Sequence, residues 1–128
     1  MAVEFKRPKV PRPLRVVILG AATEGWYQAS AEDRRDRILP RMEAMFAEWR
    51  GMGARVLATL DDDLLMTGQP AGTGWSWYLT MDVPDIETVA RMIDAVRLEV
   101  DGVRLDRVIR LETRIGRPFF LLEDQADG

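Results

Sequence analysis

The chain of 128 residues contains no cysteine and no histidine. The first absence excludes a disulfide framework, a thiolate zinc site and a thiol nucleophile. The second excludes a Ser/His catalytic triad, an imidazole base and an ordinary catalytic zinc centre. These absences remove the commonest catalytic constellations, and no catalytic motif stands out among the residues that remain.

Long apolar segments are also missing. No run approaches the roughly 18 apolar residues of a membrane span, and residues 1–13, with Glu4 and three prolines, lack the apolar core of a signal peptide. We therefore expect a cytoplasmic protein with no membrane partner. The length, together with 47% hydrophobic and 30% charged residues, predicts one globular domain.

The net charge of −3 is unevenly distributed along the chain. Residues 1–13 hold four cations against Glu4, so the rest of the chain carries −6, a charge that disfavours a nucleic-acid partner. The basic segment could be a phosphate-binding tail, but its prolines favour a solvated, extended arm. We predict an arm at 1–13, a domain at 14–120 and a C-terminal tail at 121–128.

Hydrophobic periodicity predicts six main elements in the order β-α-β-β-α-β. The first helix should follow Ser30, which resembles an N-cap, and should kink near Asp36 or restart near Leu39 because Pro40 removes a backbone donor. The second helix should begin in the segment 82–85. A loop is expected at 21–29, and strands, from apolar or alternating runs that end at turn residues, at 14–19, 54–60, 75–81 and 105–113.

This order predicts an α+β, ferredoxin-like fold, with an antiparallel four-stranded sheet and both helices on one face. One face of each strand is nearly all apolar and should lie under the helices. The opposite face is mixed, and it would leave a large apolar patch on a monomer, so we expect it to pack on a second copy in a homodimeric α+β barrel. Its members include Arg15, Val17, Leu19, Arg55, Leu57, Thr59, Ser76, Tyr78, Thr80, Val108, Arg110, Glu112 and Arg114.

Three consecutive acids follow the second predicted strand. Asp61, Asp62 and Asp63 could offer oxygen ligands to Mg²⁺ or Ca²⁺, but neighbours in an extended segment point to opposite sides, so at most two converge. A solvated turn whose carboxylates accept backbone N–H bonds is the preferred interpretation. We predict no metal site.

A glycine-rich loop separates the second and third predicted strands. It does not match a phosphate-binding loop, because the required Lys-Ser/Thr sequence is missing and a strand follows it. We interpret it as a flexible loop, with the possible role of a lid, built on Gly68, Gly72 and Gly74.

Three aromatic residues begin the third predicted strand. Trp75, Trp77 and Tyr78 could stack on an aromatic ligand, but core packing beneath the helices is favoured for the two tryptophans. Tyr78 should lie on the mixed face, where its hydroxyl can orient a ligand oxygen.

Alternating charges mark the fourth predicted strand. Glu112 should lie between Arg110 and Arg114, which keep it ionised and make it a poor general base. Two interpretations stay open: an arginine left free to bind a ligand carboxylate, or an ion-pair ladder at the subunit interface.

Several segments together resemble a known family. The acidic DDD turn, the Gly/Pro loop, WSWYLTMDVPDIETV and RLETRIGRPFF resemble the IacB-like proteins found among bacterial genes for degradation of indole-3-acetate and related aromatics, and more distantly darcynin-type domains and other dimeric α+β barrels. The resemblance spans residues 14–120. It implies a small cytoplasmic homodimer of aromatic-compound metabolism.

The activity implied by this resemblance is open. The superfamily includes cofactor-independent monooxygenases, lactone isomerases and dehydratases, so an isomerase or monooxygenase-type enzyme that acts on a small aromatic acid without a cofactor is the first interpretation. A non-catalytic accessory or ligand-binding protein is the second. The effector domain of a regulator is a weaker third, because no helix-turn-helix accompanies the domain. Mechanisms that need a pocket histidine cannot apply.

The mixed face predicts the ligand site. Its cavity should be part apolar and part cationic, which suits a small aromatic carboxylate whose ring packs on Leu57 and Val108. The predicted ligand-binding residues there are Arg55, Thr59, Ser76, Tyr78, Thr80, Arg110 and Arg114. The alternative pocket lies between sheet and helices, near Trp77 and Trp49.

Overall fold

The computed structural model describes residues 13–68 and 74–123. A π-helical turn at Arg34–Ile38 and a 3₁₀ turn at Leu105–Arg107 accompany the regular elements. The helices are α1 Glu24–Gln28, α2 Ala31–Asp33, α3 Leu39–Gly51 and α4 Ile86–Arg97. The strands are β1 Leu14–Ala22, β2 Arg55–Asp61, β3 Trp77–Val83, β4 Glu99–Val100, β5 Val103–Arg104 and β6 Ile109–Gly116.

The main sheet is antiparallel, with strand order β2-β3-β1-β6. Alternate residues of β1, among them Val16 and Ile18, are buried in one core with Met45 of α3 and Met92 of α4. Both long helices therefore pack on the same face of the sheet, and the predicted ferredoxin-like α+β fold is confirmed. No helix in the described parts of the chain is long and apolar enough to cross a membrane.

The first long helix is interrupted where the sequence predicts. Ser30 caps α2, since its hydroxyl oxygen accepts a hydrogen bond from the backbone N–H of Asp33 at 3.0 Å. Pro40 cannot donate to the carbonyl one turn earlier, and the chain widens into the π turn just before α3 begins. The predicted kink near Asp36 is therefore a π turn.

Element boundaries differ from the predictions at three places. Residues 21–29 are not all loop, because β1 continues to Ala22 and α1 follows. The third strand begins at Trp77 rather than at residue 75. The fourth begins at Ile109, because the 3₁₀ turn precedes it, and Val108 is buried in the core instead of lying on the mixed face.

A β-bulge in β2 changes which residues face the helices. The register shifts between Val56 and Ala58, so Thr59 lies opposite Leu79 and Leu60 lies opposite Tyr78. An extra residue in a strand reverses the faces of all residues after it. The prediction that Thr59 lies on the mixed face is therefore wrong, and Leu60 takes its place there.

Gly20 and Trp77 fit together on the helix side of the sheet. The two residues lie opposite each other in the β1–β3 register, and a Cβ added at Gly20 would overlap the indole ring. Phe46 of α3 meets the same indole edge to face, with ring centroids 6.2 Å apart. Glycine is thus required for the tryptophan to lie flat against β1.

Candidate functional site

The sheet face turned away from α3 and α4 is called the open face here. The register brings Arg55, Tyr78, Thr80, Arg110 and Arg114 to this face, as the sequence predicts. Ser76 lies just before β3, where its backbone N–H donates to the carbonyl of Gly20 at 2.9 Å. Between these polar groups lie the apolar side chains of Val17, Leu19, Ala21, Ala58 and Leu60.

Charged side chains lie along one end of the open face. Arg15 donates to Asp82 at 3.1 Å and to Glu123 at 2.8 Å. These hydrogen bonds raise the pKa of Arg15 above its ordinary value. Arg55 lies opposite Asp82 in the β2–β3 register. The C-terminal turn is thereby tied to this end of the sheet.

The hydroxyl of Tyr78 is already engaged. It donates to a carboxylate oxygen of Asp62 at 3.1 Å. Loss of solvation by burial, followed by the hydrogen bond and the negative charge of Asp62, raises the pKa of Tyr78 above its ordinary value. The phenol therefore remains a neutral donor whose proton points at Asp62 and not at the centre of the open face.

The arginines of β6 also have partners. The guanidinium of Arg110 lies over the indole of Trp75, 4.5 Å from the ring centroid, and donates to the carbonyl of Gly74. Arg114 pairs with Glu112 at 3.2 Å. The prediction of core packing for Trp75 is wrong, because this residue precedes β3 and its ring holds Arg110 instead.

A cavity of about 350 Å³ lies on the other side of the sheet, between α3 and the strands β2 and β3. We call it the α3 cavity. It corresponds to the alternative pocket of the sequence analysis, and the displaced Thr59 belongs to its wall. The lining residues are Glu43, Phe46, Trp49, Arg50, Ala54, Val56, Thr59, Leu79 and Met81.

The aromatic wall of the α3 cavity is held rigidly. Trp49 is buried, and its indole N–H donates to the carbonyl of Met92 at 3.0 Å. Phe46 meets Trp49 edge to face, with centroids 5.3 Å apart, and contacts Trp77 on its other side. Such contacts fix ring orientations beyond the effect of burial alone. Trp77 therefore supports the cavity from behind Phe46.

Two opposite charges flank the apolar wall. Glu43 and Arg50 lie on α3 seven residues apart, which corresponds to about 10 Å along the helix axis. Neither side chain has a hydrogen bond or ion pair with another described residue. The cavity thus offers one acceptor and one cationic donor, both available to a ligand.

The three acids lie at the end of β2, of which Asp61 is the last residue. Asp61 accepts the backbone N–H of Asp63 at 3.0 Å, and Asp62 accepts the Tyr78 hydroxyl. One oxygen of each carboxylate lies within 4.8 Å of the others. The hydrogen bonds agree with the predicted turn. Of the glycine loop, Gly68 has a φ of +103° and Gly74 accepts from Arg110, whereas Gly72 lies outside the described residues.

The topology defines the fold class: the chain has a ferredoxin-like α+β fold. One similar solved structure is a protein provisionally described as a chlorite dismutase, with a TM-score of 0.51 and 18% sequence identity. The match covers 82% of this chain but 43% of the other, so this chain spans less than half the length of that protein. No protein-family model and no curated protein matches the sequence.

Sequence reasoning missed the two charged residues of the α3 cavity, Glu43 and Arg50. Their spacing on one helix beside Trp49 is the signal that could have identified them, because residues seven apart lie on the same helix face.

Proposed function

We propose that this chain is a homodimeric protein of aromatic-compound metabolism that binds a small aromatic acid in the α3 cavity. The observation that carries the proposal is the cavity itself, which combines a volume of about 350 Å³, an aromatic wall and an arginine, Arg50, with no ion-pair partner among the described residues. Small-molecule sites typically combine an apolar lining with a few polar groups that fix orientation.

The charges of the α3 cavity indicate the kind of acid. Arg50 can take a carboxylate in a charge-assisted pair, while Glu43, near the opposite end, can accept a hydrogen bond from an N–H or O–H group. A planar ring with a carboxylate at one end and an N–H or O–H group at the other can pair with both Arg50 and Glu43. Indole-3-acetate has this arrangement, and benzoate lacks the donor.

The contacts within the open face favour the α3 cavity as the ligand site. A ligand there would have to compete with Asp62 for Tyr78 and with Trp75 for Arg110, since both side chains already have close partners. Breaking such contacts reduces the net gain from any new hydrogen bond. The face is better suited to protein packing than to recognition of a small acid.

Self-association through the open face is the second part of the proposal. Leu60 is 59% exposed, and it shares a row of the sheet with Leu19, from which Tyr78 of β3 separates it. A second copy placed on this face would bury these side chains and bring basic and acidic groups of the rim within reach of each other. A two-fold arrangement is the commonest way to satisfy such a surface.

Ligand binding is tested by calorimetry. Indole-3-acetate should bind the wild type more tightly than benzoate, and Arg50→Met should weaken indole-3-acetate binding about tenfold, the loss of one charge-assisted pair. The matched control is Arg97→Met, which removes a guanidinium from the exposed end of α4. If Arg110→Met weakens binding and Arg50→Met does not, the site lies on the open face.

Self-association is tested by light scattering. The wild type should have twice the mass of the 14.6 kDa chain, and Leu19→Asp should give a monomer because it buries a charge in the proposed interface. Leu98→Asp is the matched control, since Leu98 is exposed outside the open face. A monomeric wild type at micromolar concentration would contradict the proposal.

Catalysis on the bound acid, of an isomerase or monooxygenase kind, is a second candidate function. Its support is the Glu43 carboxylate, which lines the cavity without a described partner and is available as a proton acceptor. Turnover of aromatic acids by the wild type but not by Glu43→Gln, with unchanged binding, would establish it. Binding without turnover leaves the accessory role.

A further inference from the structure

We propose that a second cavity, between the π turn and the 3₁₀ turn, binds a phosphate group. This arginine cavity has a volume of about 160 Å³ and is separate from the α3 cavity. Three arginines line it, Arg37, Arg104 and Arg107. The proposed phosphate site does not depend on the aromatic-acid site proposed for the α3 cavity.

The three arginines differ in how they are held. Arg37 donates one bond to the carbonyl of Asp101 at 3.1 Å and lies 3.7 Å from Asp33. Arg104 is fixed by two bonds to Asp106, at 2.7 and 2.9 Å. The side chain of Arg107 has no hydrogen bond or ion pair among the described residues. One guanidinium is therefore free and a second retains unused donors.

The arginines of the cavity differ in their carboxylate neighbours. Arg37 lies 3.7 Å from Asp33, and Arg104 is paired with Asp106 and also lies opposite Glu99 in the β4–β5 register. Arg107 has no carboxylate partner among the described residues. Opposite charges attract, so an anion in the cavity would gain most from Arg107.

The backbone is shaped to keep this cavity narrow. A Cβ at Gly25 would overlap the carbonyl of Arg107, and a Cβ at Gly102 would lie 2.7 Å from a guanidinium nitrogen of Arg37. Gly102 has a φ of +80°, and the preceding Asp101 has a φ of 52°. Non-glycine residues rarely adopt positive φ. Asp-Gly is a sequence that two-residue hairpin turns favour, so the turn between β4 and β5 adopts this geometry readily and places Gly102 beside Arg37.

The π turn is the second unusual segment. It contains Arg37 and lies directly before α3. Single π turns within helices are rare and occur frequently at functional sites. Here the wider turn directs Arg37 to the hairpin formed by β4 and β5, where it bonds Asp101.

The geometry favours phosphate over a carboxylate. A planar carboxylate is satisfied by one guanidinium fork, whereas the arginines here come from three separate elements, the π turn, β5 and the 3₁₀ turn. A tetrahedral phosphate presents oxygens in several directions at once. The small volume admits the phosphate group itself, either as free phosphate or as the end of a larger monoester.

Nuclear magnetic resonance titration of the full chain tests the site. Inorganic phosphate is added at constant ionic strength, balanced with sodium chloride, and the amide signals of Gly25, Gly102 and Arg107 should shift and saturate. Arg107→Gln should weaken the affinity about tenfold, because it removes one charge-assisted donor set. Since Arg107 is exposed, this variant should fold.

Controls distinguish a built site from general attraction of anions. Arg97→Gln removes the same charge from α4 and should leave phosphate affinity unchanged, while Arg37→Gln should weaken it as Arg107→Gln does. Equal affinity in the Arg97 and Arg107 variants, shifts that do not saturate, or acetate binding as tightly as phosphate would each overturn the proposal. Saturable binding of methyl phosphate would identify the end of a larger monoester, and binding of inorganic phosphate alone would identify the free ion.

Discussion

Arg41 is a charged side chain buried against the core, and its contacts make a sharp prediction about stability. The side chain is only 6% exposed, whereas that of its partner Glu48, two turns along α3, is 45% exposed. Guanidinium nitrogens donate to Glu48 at 3.2 and 3.5 Å, but the buried Nε of Arg41 has no hydrogen-bond partner among the described residues. The ion pair thus combines a large desolvation cost for the Arg41 guanidinium with long hydrogen bonds to Glu48.

Removal of each partner should have an opposite effect on the free energy of unfolding. Arg41→Met keeps the apolar stem and removes the buried charge, and Glu48 remains in contact with water, so stability should be unchanged or rise by up to about 2 kcal/mol. Glu48→Ala leaves a buried guanidinium without its counter-ion and should cost about 2 kcal/mol, less than a fully buried pair because Glu48 is half in solvent.

Urea denaturation followed by tryptophan fluorescence measures both changes. All variants are compared at one protein concentration, because self-association would make the midpoint concentration-dependent. Glu43→Ala is the matched control for Glu48→Ala, since it removes an exposed carboxylate from the same helix and should change stability by less than about 0.5 kcal/mol. A loss of more than about 1 kcal/mol in Arg41→Met, with the two glutamate variants alike, would refute the reasoning about desolvation.

Three further predictions concern other contacts. Gly20→Ala should destabilise the fold by about 1–3 kcal/mol, because its Cβ overlaps the ring of Trp77; unfolding and fluorescence spectra measure this. Asp85→Ala should cost about 1 kcal/mol, since Asp85 accepts the N–H of Thr88 at 2.8 Å and caps α4; helical ellipticity on heating reports it. Folding raises the pKa of Tyr78, so the contribution of this residue to stability should be complete below the unfolded pKa of about 10 and should disappear as pH rises through the folded pKa. Ultraviolet difference titration of the wild type and Tyr78→Phe should show that the phenol of Tyr78 ionises above the ordinary pKa of tyrosine. Ionisation at the ordinary pKa would contradict this prediction.

The sequence predicts most of the fold because its strongest signals are local. The apolar run of β1, the alternation along β3, and apolar residues at helical spacing in α3, among them Met45 and Trp49, indicate which segments are buried. Pro40 marks the interruption before α3. These features depend on residues that are close to one another in the sequence, so they can be interpreted without tertiary information.

The candidate site is harder to predict from local sequence patterns. The bulge in β2 leaves no mark in the alternating run, because Val56 through Leu60 would fit an unbroken strand equally well. Trp75 was predicted to be core because aromatic residues usually are, yet its contact with Arg110 joins a loop to a distant strand. The α3 cavity arises where α3 and β2 diverge, and single-sequence patterns carry no information on that separation.

The bulge in β2 makes the composition of both faces of the sheet depend on whether Leu57 pairs with β3. If Leu57 lay opposite Thr80, simple alternation would return, Leu60 would turn toward the helices and Thr59 would turn outward. The α3 cavity would then lose a hydroxyl and gain a leucine, while the open face would gain the hydroxyl. Deletion of Leu57, in contrast, would remove the bulge and leave Ala58, Thr59 and Leu60 opposite their present partners. A lineage could therefore lose the bulge through one codon and keep both its pocket and its sheet surface.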